Sequence, residues 1–294
     1  METACSIDKL VILGRATLKL QDYLQTHLNY LDACKPVWSI ERYGNAKQPY
    51  RWWFQFTDGS FLQIAEGRPG VLPAIRLEFN PNRVDLFSGG VNSLVQLIRY
   101  LRFGRFSRVD IAIDYFADLS QVRWDDLTKH KRQVEFRAPD ARRETLYIGS
   151  RASENMVRIY DKEKESKSLD GRLWWRVEAE LKFKGDEVGP LVFMRPFSDL
   201  KGYLGLNVSG LNWRDRIVLE RLAVDSSIFH EMGYDSRSKY RAMLNKYADS
   251  ELNPQPQSVY ELYWSRIWSE LCGIRDKFAK GHVQGQGWQE IGGE

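Results

Sequence analysis

Cysteine and histidine are scarce in this 294-residue chain: three cysteines (Cys5, Cys34, Cys272) and four histidines (His27, His130, His230, His282). The cysteines stand at unrelated spacings, which excludes a disulfide framework and a Cys-x-x-Cys metal knuckle; they read as reduced thiols. No His-x-His or His-x-x-x-His occurs, so the commonest imidazole metal sites are absent and any metal has to sit on carboxylates. Apolar runs of the ~18 residues a membrane span needs are missing, and Glu2, Asp8 and Lys9 precede any apolar stretch. Neither a membrane segment nor a signal peptide is written, and a cytoplasmic protein is expected. Internal repeats and long low-complexity tracts are lacking as well.

What is present is a globular composition. Hydrophobic residues make up 43%, aromatics 13% and charged residues 28%, which excludes a chain disordered throughout, a collagen and a coiled coil. The length allows one large domain or two ordinary ones. The net charge is only +4, but the cations cluster. Arg99, Arg102, Arg105 and Arg108 fall together, and Lys129, Lys131, Arg132, Arg137, Arg142, Arg143 and Arg151 outnumber the neighbouring acids Glu135, Asp140 and Glu144. Such patches can track a phosphate backbone, although a solvated charged face uses the same residues.

Two β-rich runs, Arg51 to Phe56 and Phe61 to Ala65, surround an Asp-Gly turn and predict a hairpin; Ala74 to Phe79 alternates like a half-buried strand. From Asn92, Leu94, Val95, Ile98 and Leu101 recur at helical spacing until Gly104. Arg108 to Asp114, Thr145 to Gly149, Met156 to Lys162 and Arg176 to Lys182 alternate again. The pattern predicts an α+β fold, an antiparallel-rich sheet with helices on one face. After about Val188 longer helical segments follow, Trp213 to Met232 and Ser238 to Ala248. Beyond a break at Pro254 and Pro256, the amphipathic Tyr260 to Phe278 carries an aromatic stripe expected to be core. A frayed tail is expected from Gly281.

Side-chain parity sorts the central strands. Val109, Ile111 and Ile113 oppose Arg108, Asp110 and Asp114; Val157 and Ile159 oppose Arg158, Tyr160 and Lys162; Val177, Ala179 and Leu181 oppose Arg176, Glu178, Glu180 and Lys182. One face therefore collects four carboxylates, a tyrosine and several cations. A single strand of this kind is explained by a wet face with cross-strand ion pairs. Three together ask for compensation, because two unit charges 4 Å apart cost about 4 kcal/mol at an effective dielectric near 20. A divalent ion or the interleaved Arg and Lys supplies it. Glu178 and Glu180, roughly 6.6 Å apart along a strand, are close enough to share an ion, whereas Asp110 and Asp114 are about 13 Å apart. One of the two aspartates is therefore expected as a ligand and the other as an organiser of Arg or Lys. Oxygen donors suit Mg²⁺ or Mn²⁺. Tyr160 lies between Arg158 and Lys162, cations expected to stabilise its phenolate. In a hairpin of Thr145–Gly149 with Met156–Tyr160, Tyr147 falls opposite Arg158 and is a rival nucleophile.

Arg108-Val-Asp-Ile-Ala-Ile-Asp114, Thr145-Leu-Tyr-Ile-Gly-Ser-Arg151, Val157-Arg-Ile-Tyr-Asp-Lys162 and Trp175-Arg-Val-Glu178 resemble, in order and spacing, the Rep_trans group of rolling-circle replication initiation factors of plasmids, filamentous phages and conjugative elements. Singly each motif is weak; four in order are fairly specific. The resemblance implies a fold related to the His-hydrophobe-His endonucleases with acids in place of the histidine pair. It favours Tyr160 as the residue that attacks one strand of origin DNA. It implies a site-specific nickase that leaves a 5′-phosphotyrosyl link and a free 3′-hydroxyl, with Tyr160, Lys162 and Arg158 catalytic and Asp110, Asp114, Glu178 and Glu180 around Mg²⁺ or Mn²⁺. Arg108, Lys131, Arg132, Arg142, Arg143 and Arg151 would contact DNA. Residues 1–188 would form the nucleotidyl-transfer domain and 189–294 a mainly helical region, where Arg214, Arg216 and Arg221 are candidates for duplex readout. Implied partners are origin DNA, duplex and single-stranded, and a host helicase, with a homodimer as an option. A conjugative relaxase, a non-catalytic DNA-binding regulator and a water-using phosphohydrolase are the alternatives.

Overall fold

The computed structural model describes residues 1–17, 20, 34–36, 50–56, 59–65, 70–84, 97–98, 100–126, 131–167, 171–184, 195–206, 208–224, 228–247 and 253–280. Lys129, the Thr57-Asp58 turn, the expected helix start at Asn92, the boundary at Val188 and the tail from Gly281 lie outside them. No helix among the described residues is long and apolar enough to cross a membrane.

The backbone groups into two compact units, each assembled from separated stretches. One unit comprises Met1–Cys5, Ala112–Ala179 and Met194–Tyr263; the other comprises Ser6–Ile111, Glu180–Phe193 and Trp264–Glu294.

In the second unit the strand order is β2 (Cys34–Pro36), β3 (Tyr50–Phe56), β4 (Phe61–Ala65), β5 (Ala74–Phe79), β1 (Thr3–Ala16) and β6 (Leu101–Tyr115). The hairpin and the strand expected from the sequence are thus β3–β4 and β5. Register explains the core. Leu10, Ile12 and Gly14 of β1 stand opposite Phe79, Leu77 and Ile75 of β5, and Leu77 and Ile75 stand opposite Leu62 and Ile64 of β4. With a side-chain period of two, this row lies on one face, and its apolar members are all buried. The other face carries Glu78, which accepts from Lys9 at 2.9 Å and Arg76 at 2.7 Å. Leu101 to Gly104, read from periodicity as the end of a helix, opens β6 instead; only Leu97 and Ile98 of that segment are described as helical. Pairing with β1 explains the difference, because it requires two glycines there. A Cβ on Gly14 would meet the Arg102 carbonyl oxygen at 2.1 Å, and one on Gly104 would meet that of Leu13 at 2.8 Å.

In the first unit the order runs from the end of β6 through β11 (Trp175–Lys182), β10 (Asn155–Asp161) and β9 (Arg143–Ile148) to β8 (Gln133–Arg137), with a separate pair of β7 (Arg123–Asp126) and β12 (Leu200–Tyr203). A short helix α1 (Lys162–Ser166) leaves β10. Helices α2 (Trp213–Val224), α3 (Ile228–Glu231) and α4 (Tyr234–Tyr247) follow, so the run read as one helix from Trp213 to Met232 is two. Tyr203, Leu219, Leu222, Phe229 and Leu244 form their core. The last helix, α5 (Pro256–Lys280), starts on proline, whose missing N–H costs nothing at a first helical position. Of its stripe, Tyr260, Ile267, Leu271, Ile274 and Phe278 are buried, as expected, while Trp264 is half-buried. In the first unit Tyr260 packs on Phe197, and in the second Phe278 packs on Phe103.

Gly14→Ala is expected to destabilise the protein by about 1–3 kcal/mol, because backbone must move to admit the methyl group. Urea unfolding measures this, and an unchanged midpoint would contradict the close approach of β1 and β6.

Candidate active site

The four carboxylates singled out in the sequence lie on strands buried on both faces: Asp110 is 1% exposed, Asp114 9%, Glu178 4% and Glu180 8%. This is not a wet face. A buried charge persists only with a partner, and each of these acids has one.

In the first unit, Tyr160 on β10 is 3% exposed. Its hydroxyl donates to Glu178 Oε2 at 3.1 Å. Arg158 Nη2 donates to the Tyr160 hydroxyl at 3.2 Å and to both Glu178 oxygens at 3.2 and 3.0 Å. The Arg158 guanidinium also lies 4.2 Å from the Tyr160 ring centroid, and Lys162 Nζ lies 5.6 Å from it. Burial works against the charge of Arg158, but Glu178 beside it holds the guanidinium above its ordinary pKa. Tyr160 behaves differently from the expectation that flanking cations favour its phenolate. Burial, reinforced by the charge of Glu178, pushes the phenol well above its ordinary value, and Arg158 and Arg176 only partly oppose this. The resting side chain is a protonated phenol.

Local sequence places these groups. Arg158 and Tyr160 share a face by strand parity. At Asp161 the strand ends: its carboxylate caps α1 by accepting from the Lys164 N–H at 3.1 Å. The N–H groups of Lys162 and Glu163 donate to the Trp174 carbonyl. The turn brings Lys162 Nζ to Glu165 Oε2 at 2.5 Å, and Glu165 also reaches Arg158 Nη1 at 3.6 Å.

Asp114 holds Arg176 through two contacts, 2.7 and 2.9 Å, and accepts the Trp174 indole N–H at 2.8 Å. It organises an arginine and a tryptophan. In the second unit Asp110 accepts from Arg108 at 2.7 and 2.5 Å, while Glu180 accepts from Arg108 and from Lys182, each at 2.7 Å. Both aspartates are organisers, where one was expected to ligate metal. Among the described residues no group of three or more His, Cys, Asp or Glu is placed to hold a metal ion. The physical reason is compensation by the interleaved cations.

Tyr147 pairs with Arg158 across β9 and β10, as the hairpin reading expected. Its ring packs edge-on against Phe136, centroids 6.0 Å apart. Of the residues expected on DNA, Arg132, Arg142 and Arg151 are exposed and Lys131 is half-buried. Arg142 pairs with Asp140 at 2.6 Å. Arg143 is withdrawn instead: it holds Glu135 at 2.6 Å and donates to the Val122 carbonyl. Arg108 is similarly engaged between its two acids. Glu165 and Trp174 were missed by the sequence reading. The available signal for Glu165 was its i+3 spacing from Lys162 behind a capping aspartate.

Residues 104–190 match the Rep_trans family model, described as replication initiation factor. A replication initiation protein of Staphylococcus aureus is 30% identical over 209 residues, 67% of this chain and 62% of that protein. A second from the same organism is 28% identical over 190 residues, 60% of this chain and 56% of the relative. The chain thus spans less than two thirds of the length of these relatives. A rolling circle replication initiator protein from Geobacillus stearothermophilus aligns structurally with a TM-score of 0.38 and 18% identity, over 76% of this chain and 85% of that one.

A phenol whose folded pKa exceeds its unfolded one contributes stability that is full below about pH 10 and is lost as pH rises beyond it. Absorbance titration near 295 nm is therefore expected to show no difference between wild type and Tyr160→Phe up to the ordinary phenol range. A phenolate lost on substitution and titrating below that range would contradict the buried clasp.

Proposed function

We propose, for a chain whose residues 104–190 belong to the Rep_trans family of replication initiation factors, that the protein starts rolling-circle replication by nicking one strand of an origin through Tyr160. The observation that carries this reading is the hydrogen bond from the Tyr160 hydroxyl to Glu178, with Arg158 bridging both. A tyrosine nucleophile needs a group to receive its proton and a cation beside the developing charge, and Glu178 and Arg158 stand in those positions. As the Tyr160 oxygen bonds to phosphorus, its proton passes to Glu178. The bond from phosphorus to the 3′ oxygen breaks, and that oxygen takes a proton from solvent. The products are a 5′-phosphotyrosyl link and a 3′-hydroxyl able to prime synthesis. Glu178 thus acts as proton acceptor, a role different from the metal ligand expected from parity.

The family resemblance implies Mg²⁺ or Mn²⁺. The oxygen donors are of the right type, but as arranged they do not fit an ion, since Asp110, Asp114, Glu178 and Glu180 each accept from one or two cations. No step here runs through a metal. Backbone contacts to DNA are assigned to exposed Arg132, Arg142 and Arg151 with Lys131, and Arg143 and Arg108 become structural. Arg214, Arg216 and Arg221 on exposed positions of α2 are proposed for duplex readout. Origin DNA, a host helicase and a second copy of the chain are the proposed partners.

Incubation with supercoiled candidate origin DNA and a divalent ion, followed by a denaturing gel, tests the assignment. Tyr160→Phe should remove nicking and the covalent adduct while leaving DNA binding intact, and Tyr147→Phe should keep most activity. The reverse pattern would transfer the nucleophile to Tyr147.

A further inference from the structure

Arg158 and Lys162 flank the Tyr160 ring from different elements, a strand and a helix, yet both reach the same carboxylate. Glu165 lies 2.5 Å from Lys162 Nζ and 3.6 Å from Arg158 Nη1. An i,i+3 helix pair on a solvated surface is worth little and needs no explanation. This one is different in two respects. The Lys162 side chain is only 17% exposed while that of Glu165 is 42% exposed, so the cation is held inward and the acid lies at the rim. Glu165 also makes a second cation contact off the helix, to an arginine already bound to Glu178 and to the nucleophile's hydroxyl. A carboxylate shared by an arginine and a lysine that both lie against the Tyr160 ring has the charge and acceptor oxygens of a phosphodiester.

We infer that Arg158 and Lys162 form a seat for the phosphodiester that Tyr160 attacks, and that Glu165 fills this seat in the unliganded protein and is displaced when single-stranded DNA enters. The inference rests on the proposed nicking function and adds a gate to it. Glu165 lies on the exposed side of α1, so its side chain can rotate outward without moving β10. With Glu165 in place, its charge is one of the influences that keep the Tyr160 phenol protonated. Its replacement by a phosphodiester, which is also singly negative, keeps the charge balance at the two cations and brings the electrophile to them. Glu165 is therefore an autoinhibitory residue, acting through Arg158 and Lys162.

The probe is a short fluorescein-labelled oligothymidylate, bound in the Tyr160→Phe background so that no covalent product forms, with affinity measured across salt. Glu165→Gln is expected to tighten binding about threefold to tenfold at low salt, and to steepen the log–log salt slope by up to about 0.7, because two cations become available to phosphate without expelling an acid. Glu163→Gln removes the same charge from the same helix without touching either cation, and should stay within about twofold of the parent. Glu165→Asp, which keeps the charge but shortens the reach, should also tighten binding and controls for any folding defect in Glu165→Gln. Equal affinities for Glu165→Gln and Glu163→Gln, or weaker binding by Glu165→Gln and Glu165→Asp, would overturn the inference. If such equality accompanied an adduct between wild-type protein and origin DNA, the gate would fail and the nickase reading would stand. Tighter binding by Glu165→Gln with no adduct from any Tyr160-containing protein would keep the seat and remove the nickase.

Discussion

A carboxylate as deeply buried as Glu178 is tolerated only when a cation and hydrogen-bond donors replace the water it has lost, and Arg158 supplies the cation. Much of the candidate site depends on that pairing. Breaking a buried pair by removing one member typically costs more than the pair itself contributes, because the remaining charge is stranded. Arg158 therefore fixes Glu178, Glu178 fixes the Tyr160 hydroxyl, and Arg158 then closes the triangle. Asp114 with Arg176 and Trp174 repeats the arrangement on neighbouring strands of the same unit.

The same physics explains the protonation state of Tyr160. A phenol among charged groups can be pushed in either direction, and the result depends on which charge is nearer and how much water is excluded. Here burial and the adjacent carboxylate outweigh the cations. The hydroxyl donates to Glu178 and stays protonated; under the proposed nicking function it gives up that proton only as the electrophile lowers the cost of charge development. As the proposed nucleophile, Tyr160 would thus be oriented before its substrate arrives.

Much of this was legible in the sequence, because period-two alternation sorts side chains by face regardless of what the strands pack against. Asp110, Asp114, Arg158, Tyr160, Glu178 and Glu180 were found that way, and so were β5, β9, β10 and β11. Periodicity failed where another constraint dominated. Strand β1 contains the unbroken apolar run Leu10 to Leu13, so it shows no alternation, and the sequence reading passed over it although it pairs with β5. Leu101 fitted a helical stripe, but Gly104 belongs to a strand needing close backbone approach. The expected metal shell is not assembled among the described residues, for a different reason. Spacing reveals that acids are neighbours but not which cation neutralises them, and the interleaved Arg108, Arg158, Arg176 and Lys182 occupy them. Arg143 is the corresponding case among the cations, a basic residue in a basic cluster whose guanidinium folds inward onto Glu135 and a carbonyl.

The central claim is that Arg158 and Glu178 act as one unit beneath Tyr160. A double-mutant cycle in urea unfolding, with Arg158→Met, Glu178→Gln and the two combined, measures their coupling directly. The account predicts a coupling energy above about 1 kcal/mol, with the double variant less destabilised than the two single variants added together. Additive losses, with a coupling near zero, would contradict it.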